Sequence, residues 1–149
     1  MKAIVLCAGR GRRLGQAGPK CLLEVGGRTL LARMLDALAA VGVRDVVLVV
    51  GYEAGLVRAA VAGRQRVSFV ENPRWERGSV VSLWTARSHL DGQDDALVMD
   101  ADVLFPREAL RRLVESARPS AFLMDRSASA SGEEMMLAAR AGRVHRIAR

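Results

Sequence analysis

The sequence predicts an α/β fold: a mainly parallel sheet with helices on both faces, ending in a β-hairpin. Three observations predict it. Short apolar runs alternate with segments of helical period, the pattern of βαβ units. The strongest run, DVVLVV at Asp45–Val50, is apolar without alternation, as a strand covered on both faces should be. The last thirteen residues or so read as two short strands about a turn at Ala141-Gly142.

Residues 3–7 are the first strand, AIVLC, broken at once by glycine and arginine. Residues 29–40 carry the apolar spacing of an amphipathic helix, ended by Gly42. After the strand at Asp45–Val50, residues 53–62 form a second helix stopped by Gly63, and residues 67–70 a short strand. A third helix spans 79–90 and a brief apolar strand 96–99. The fourth helix, 107–117, opens after Pro106 and closes before Pro119. Residues 120–124 read as a further strand, 127–132 (SASASG) as a flexible loop, and 136–140 with 143–147 as the hairpin.

At 149 residues the chain is of one-domain length, and with half its residues hydrophobic and 26% charged it is a globular composition. No apolar run approaches the ~20 residues of a membrane span, and Met1-Lys2 leads directly into the first strand with no secretory pattern. The expected location is therefore the cytoplasm. Two cysteines, Cys7 and Cys21, make neither a disulfide framework nor a four-ligand zinc site and are expected to be reduced packing residues. The net charge of +7 comes almost wholly from scattered arginine; only Lys2 and Lys20 are lysine. Aromatics are 4% and no nucleic-acid signature is present, so a nucleic-acid partner is not expected. A basic balance also suits a polyphosphate substrate. The sequence leaves the oligomeric state open.

The stretch AIVLCAGRGRRLGQAGPKCLLEV (residues 3–25) places a strand, a glycine-rich turn and a basic segment in the order that aims backbone N–H groups at an anion. It is not a dinucleotide-binding turn. Gly9-Arg10-Gly11-Arg12-Arg13 is followed by Leu14, and the second strand ends Val49-Val50-Gly51 with no acid to hold a ribose. It is not a P-loop either, because Lys20 stands between Pro19 and Cys21.

What remains, A-G-x-G-x-R-L followed by P-K, resembles the amino-terminal signature of the sugar-phosphate-type nucleotidyltransferases. The resemblance continues through GVRDVVLVVGYEAGLV, ENPRWERGSVVSLWTA and VMDADVLF, and covers residues 3–148 or nearly so. Within that superfamily it is nearest to cytidylyltransferases acting on small phospho-alcohols or phosphonates, of the phosphocholine type. It implies a three-layer, Rossmann-like α/β sandwich. The implied reaction moves a nucleoside monophosphate, CMP from CTP by preference, onto a small phosphorylated or phosphonate acceptor and releases pyrophosphate.

By the same resemblance, Leu6, Ala8, Gly9 and Gly11 bind the nucleotide, the glycines letting the backbone approach the triphosphate. Arg13 stabilises the departing pyrophosphate, as a planar guanidinium suits, and Lys20 bridges the α-phosphate and the acceptor. Asp102 holds Mg²⁺. Asp100, two residues earlier, either orients a water or the ribose or caps the strand end. Asn72, Gly78, Ser79 and Ser82 fall where the family reads base and ribose, and Ser79 is equally suited to capping the third helix. Trp75 and Trp84 are candidates for an acceptor wall, with core packing favoured for Trp84. Arg10 and Arg12 read as surface arginines, and His89 and His145 carry no chemistry. The distal metal carboxylate of the family has no counterpart, since Asp125, Glu133 and Glu134 do not match it. The expectation is one nucleotidyltransferase domain, 1–149, truncated at its carboxyl end. The alternatives are a non-catalytic nucleotide-binding domain of the same fold and a sugar-1-phosphate transferase using another nucleotide.

Overall fold

The computed structural model describes residues 1–11, 18–116, 118, 120–125 and 136–148. In chain order they form strand β1 (Lys2–Leu6), a 3₁₀ turn at Lys20–Leu22, and the small strands β2 (Glu24–Val25) and β3 (Arg28–Thr29). Helix α1 (Leu30–Ala40), β4 (Asp45–Val50), α2 (Ala54–Ala60) and β5 (Val67–Glu71) follow. After a 3₁₀ turn at Trp75–Arg77 come α3 (Ser79–Thr85), a 3₁₀ turn at Arg87–His89, β6 (Ala96–Asp100) and α4 (Arg107–Val114). The antiparallel pair β7 (Met136–Arg140) and β8 (Arg143–Ala148) is the expected hairpin, with Ala141 and Gly142 both at positive φ in its turn.

The main sheet is four-stranded and wholly parallel, in the order β5-β4-β1-β6. Period-2 alternation sorts its side chains onto two faces. On one face Ala3, Val5, Leu48 and Val50 pack with Leu31, Leu35 and Leu38 of α1, Val57 of α2 and Leu110 of α4. On the other, Ile4, Val47 and Val49 pack with Ala86, which follows α3. Helices thus cover both faces, and the predicted three-layer arrangement is the observed one. Cys7 and Cys21 are buried free thiols, as expected. No helix among the described residues is long and apolar enough to cross a membrane.

Local chemistry explains the element bounds. Thr29 caps α1, its Oγ1 accepting from the Ala32 N–H at 3.1 Å. Asp45 and Arg66 make a bidentate ion pair, both bonds 2.7 Å, that clips the starts of β4 and β5 together. On α4, Arg111 and Arg112 hold Glu108 down at about 2.

Three expectations are corrected. The third helix ends at Thr85 rather than at residue 90: Thr85 Oγ1 donates to the Val81 carbonyl and Arg87 to the Trp84 carbonyl, so side chains take the last carbonyls and a 3₁₀ turn follows. Trp84 is not a core residue; it is 63% exposed, with the Arg87 guanidinium 5.0 Å above its ring. Residues 120–124 are not a strand, and Phe122, Leu123 and Met124 are exposed. No described strand lies beside β6 on its outer edge to pair with such a segment.

Leu48 is fully buried in the middle of β4. Leu48→Ala is therefore expected to lower unfolding free energy by about 2–5 kcal/mol in urea titration; a loss below about 1 kcal/mol would contradict this packing.

Candidate active site

The chain runs from β1 to β4 and β5 on one side, then crosses back to place β6 on the other side of β1. A crevice must open outside the carboxyl ends of the strands at such a switch point. Here it is a cleft of about 810 Å³, floored by residues 6–11 and walled by Lys20 and Cys21, the 75–79 turn with Ser82, and residues 100–102.

The glycine turn is fixed by sterics at one position in particular. Gly11 has φ +68°, and a Cβ there would stand 3.0 Å from Lys20 Cβ and 3.1 Å from its Cγ. A side chain at Gly11 would collide with the stem of the lysine. The Lys20 N–H returns to the Gly9 carbonyl at 3.3 Å, which ties the two ends of the turn together. A Cβ on Gly9 would meet nothing within 4 Å among the described residues, so the turn is open there. Cys7 and Cys21 sit side by side at the two stems; the contact with Cys21, and then burial, push the Cys7 thiol up, so it stays protonated at neutral pH.

On the far wall, the register Leu6↔Asp100 brings the end of β6 level with the end of β1, and the Ala101 N–H bonds the Leu6 carbonyl at 3.2 Å. Lys20 Nζ and Asp102 Oδ2 form an ion pair. Partial desolvation and then the Asp102 carboxylate push the Asp100 carboxyl up, with Lys20 acting against them. Two carboxylates and a cation thus meet beside the glycine turn. No group of three or more potential metal ligands occurs among the described residues. Two carboxylates suit a hard cation that draws its remaining ligands from phosphate and water, as Mg²⁺ does.

The third wall departs from expectation. Asn72 is fully buried and does not line the cleft. Its N–H bonds the Val50 carbonyl at 2.8 Å, its Oδ1 accepts from the Arg74 N–H at 2.9 Å, and its Nδ2 donates to Ser82 Oγ at 3.0 Å. Ser82, Gly78 and Ser79 do line the cleft. The N-cap of α3 is Gly78, with φ +95°, and not Ser79, which is already the first helical residue. Leu6, Ala8, Gly9, Gly11, Lys20, Asp100 and Asp102 all reach the cleft. Arg13, together with Arg12, Glu133 and Glu134, lies outside the described residues.

Trp75, a candidate for the acceptor wall, does line the cleft; what sequence reasoning missed is its support by Gly51 and Tyr52. Trp75 lies over Gly51: a Cβ there would come within 2.6 Å of Trp75 Cβ and 3.0 Å of Ala8 Cβ. Tyr52 supports it from the side, ring centroids 5.2 Å apart, and the Arg10 guanidinium lies 5.2 Å from the Tyr52 centroid. Arg10 is therefore held against an aromatic ring rather than simply solvated. The Gly-Tyr pair after the second strand was the available signal, but nothing in the sequence shows what rests on the glycine.

Residues 3–148 match the MobA-like NTP transferase domain, and the chain belongs to that family. A CMP-5'-(3-aminopropyl)phosphonate synthase from Streptomyces rubellomurinus is 38% identical over 133 residues, 85% of this chain and 21% of that protein. The inositol-1-phosphate CTP transferase of T. maritima superposes with a TM-score of 0.64 at 27% identity, over 78% of this chain and 49% of that one. The CTP:phosphocholine cytidylyltransferase of Streptococcus pneumoniae gives 0.60 at 26%, over 71% and 47%. The chain thus spans about half the length of these two structures and about a fifth of the curated relative.

Two outcomes follow from the geometry. Because the fold raises the Asp100 carboxyl, its ionised form costs stability at neutral pH, and that cost disappears once the pH falls below 3.8, the ordinary aspartate value. Asp100→Asn is expected to raise the melting temperature at pH 7 and to leave it unchanged below that value; equal effects at both would refute the assignment. Gly51→Ala, which drives a methyl into Trp75, is expected to cost about 1–3 kcal/mol in chemical denaturation.

Proposed function

We propose that residues 1–149 form one nucleotidyltransferase domain that binds a nucleoside triphosphate, CTP by preference, and transfers CMP to a small phosphorylated or phosphonate acceptor. The observation that carries this reading is the meeting of Lys20, Asp100 and Asp102 beside the Gly9–Gly11 turn, at the crevice where β1 and β6 end. The choice of cytosine and of a small acceptor draws on the similarity to the phosphonate synthase and the two cytidylyltransferases.

The chemistry asks for charge control more than proton transfer. An oxygen of the acceptor phosphate or phosphonate forms a bond to the α-phosphorus, the bond from that phosphorus to its bridging oxygen breaks, and pyrophosphate leaves. A phosphate acceptor is largely dianionic at neutral pH, so no general base is needed. The difficulty is bringing two anions together. Lys20 would exchange Asp102 for the α-phosphate and acceptor oxygens, neutralising both. Asp102, with Asp100 beside it, would hold Mg²⁺, which supplies Lewis-acid stabilisation of the phosphates when bound. The open space around Gly9 admits phosphate oxygens close to backbone N–H groups. Arg13 is assigned to the leaving pyrophosphate. A cytoplasmic location, where nucleotides are abundant, suits this reading and the free thiols.

Calorimetric titration with CTP, UTP, GTP and ATP, each with and without Mg²⁺, tests the proposal. Saturable binding led by CTP and strengthened by Mg²⁺ is the expected result. Asp102→Asn should abolish the magnesium effect, and Lys20→Ala should lower pyrophosphate release by about 100- to 1,000-fold. Nucleotide binding with no acceptor-dependent pyrophosphate release would instead identify a non-catalytic nucleotide-binding domain. Binding led by another base would move the reading to a different nucleotide and acceptor.

A further inference from the structure

The chain has two cysteines, 14 positions apart, and the fold brings them together. Cys7 follows directly on β1, and Cys21 is the middle residue of the 3₁₀ turn Lys20–Leu22. Cys21 Sγ lies 4.0 Å from the Cys7 carbonyl oxygen, and the two thiols are in hydrogen-bonding contact. Each residue is 2% exposed, and both line the cleft, so a small reagent in the cleft reaches them at its floor. The transfer chemistry above uses neither sulfur. A buried cysteine that only packs behaves as a small hydrophobe. Two thiols in contact beside a cleft have a further chemistry open to them.

The stretch between the two is the glycine turn, and Lys20 stands next to Cys21. Cys7 is the fixed end: its N–H bonds the Val49 carbonyl at 2.8 Å, and the Tyr52 N–H bonds the neighbouring Ala8 carbonyl at 3.1 Å. A sulfur–sulfur bond is about 2.05 Å long, well inside the separation of two unbonded thiols. Drawing the sulfurs to that distance therefore moves the Cys21 segment toward β1 rather than the reverse. Lys20 goes with it. The Lys20 N–H is tied to the Gly9 carbonyl, and its stem occupies the space a side chain at Gly11 would take. The displacement is thus carried to the ammonium that pairs with Asp102.

We propose that Cys7 and Cys21 are a modification site, at which a peroxide joins them in a disulfide that closes the glycine turn and displaces Lys20. A thiolate is the nucleophile in such a step. The Cys7 thiol, by hydrogen-bonding the Cys21 sulfur, holds the Cys21 thiol below its usual range, with burial acting against it. Cys21 therefore attacks first. Its sulfur bonds to one peroxide oxygen, the O–O bond breaks, and hydroxide leaves. The Cys7 sulfur then displaces the hydroxyl of the Cys21 sulfenic acid, and the Cys7 proton leaves with it as water. In sum two thiols and one hydrogen peroxide give one disulfide and two waters. The effect on Lys20 rests on the functional reading above; formation of the disulfide does not.

The test treats the full chain with hydrogen peroxide and maps its peptides without reduction. The Cys7 and Cys21 peptides are expected joined within one chain, and separate again after dithiothreitol. Cys7→Ser leaves Cys21 no thiol to close on, and dimedone should then trap a sulfenic acid at Cys21. Pyrophosphate release from CTP and phosphocholine should fall by about 10- to 100-fold in the oxidised wild type and recover on reduction. Peroxide should leave Cys21→Ser at its own untreated rate. Bound CTP with Mg²⁺, lying over the cleft floor, should slow the joining of the two peptides. Cysteines that stay separate, that pair between chains, or that join with no change in an otherwise measurable rate would overturn the proposal, and the wild-type map needs no variant to fold. Absence of pyrophosphate release from untreated protein would overturn the functional reading and the role given to Lys20, while the peptide map still decides the disulfide.

Discussion

The parallel pairing of β1 with β6, Leu6 opposite Asp100, is the constraint on which the site depends. It places the exits of the two strands side by side, so that the turn after one and the carboxylates after the other share a single crevice. The opposite edge of β1 is held by β4, with Leu6 opposite Val49, and neither face of β1 is open to water. A strand confined on four sides has one direction in which to project chemistry, beyond its carboxyl end. Gly11 and Lys20 then follow from sterics, because the lysine stem passes where a side chain at Gly11 would lie.

That constraint makes the arrangement of charge in the cleft intelligible. Asp100 and Asp102 are brought close enough for one carboxylate to disfavour ionisation of the other, and Lys20 partly offsets this. A stable fold would not choose such a pairing for its own sake. Concentrated charge beside an apolar floor costs folding free energy and is commonly retained where ligands supply the missing counter-charge.

Much of this was legible in the sequence, for identifiable reasons. Uninterrupted apolar runs such as DVVLVV announce strands covered on both faces, and glycines 42, 63 and 142 mark turns because their backbones sit at positive φ. Asp102 and Lys20 could be read from the motifs that surround them. The misreadings share a cause: each turned on a tertiary neighbour. Ser79 resembles an N-cap, yet the backbone gives that place to Gly78. Trp84 has the period of a buried position, but α3 ends one residue later, the ring is exposed and the Arg87 guanidinium lies over it. Residues 120–124 are apolar enough for a strand and have no described partner to pair with.

The two faces of the sheet are unequally covered. One carries α1, α2 and α4 over a continuous apolar layer; on the other, among the described residues, Ile4, Val47 and Val49 meet Ala86 behind the seven-residue α3, with Leu6 and Val70 partly buried against them. Opening free energy follows buried apolar contact, so it is unevenly distributed through the molecule. The α1 side is therefore expected to form the slowly exchanging unit, and the α3 side, with Gly78, Ser79 and Ser82, to open more cheaply. On that expectation the cleft has one rigid rim, set by the β1 and β6 exits, and one compliant rim.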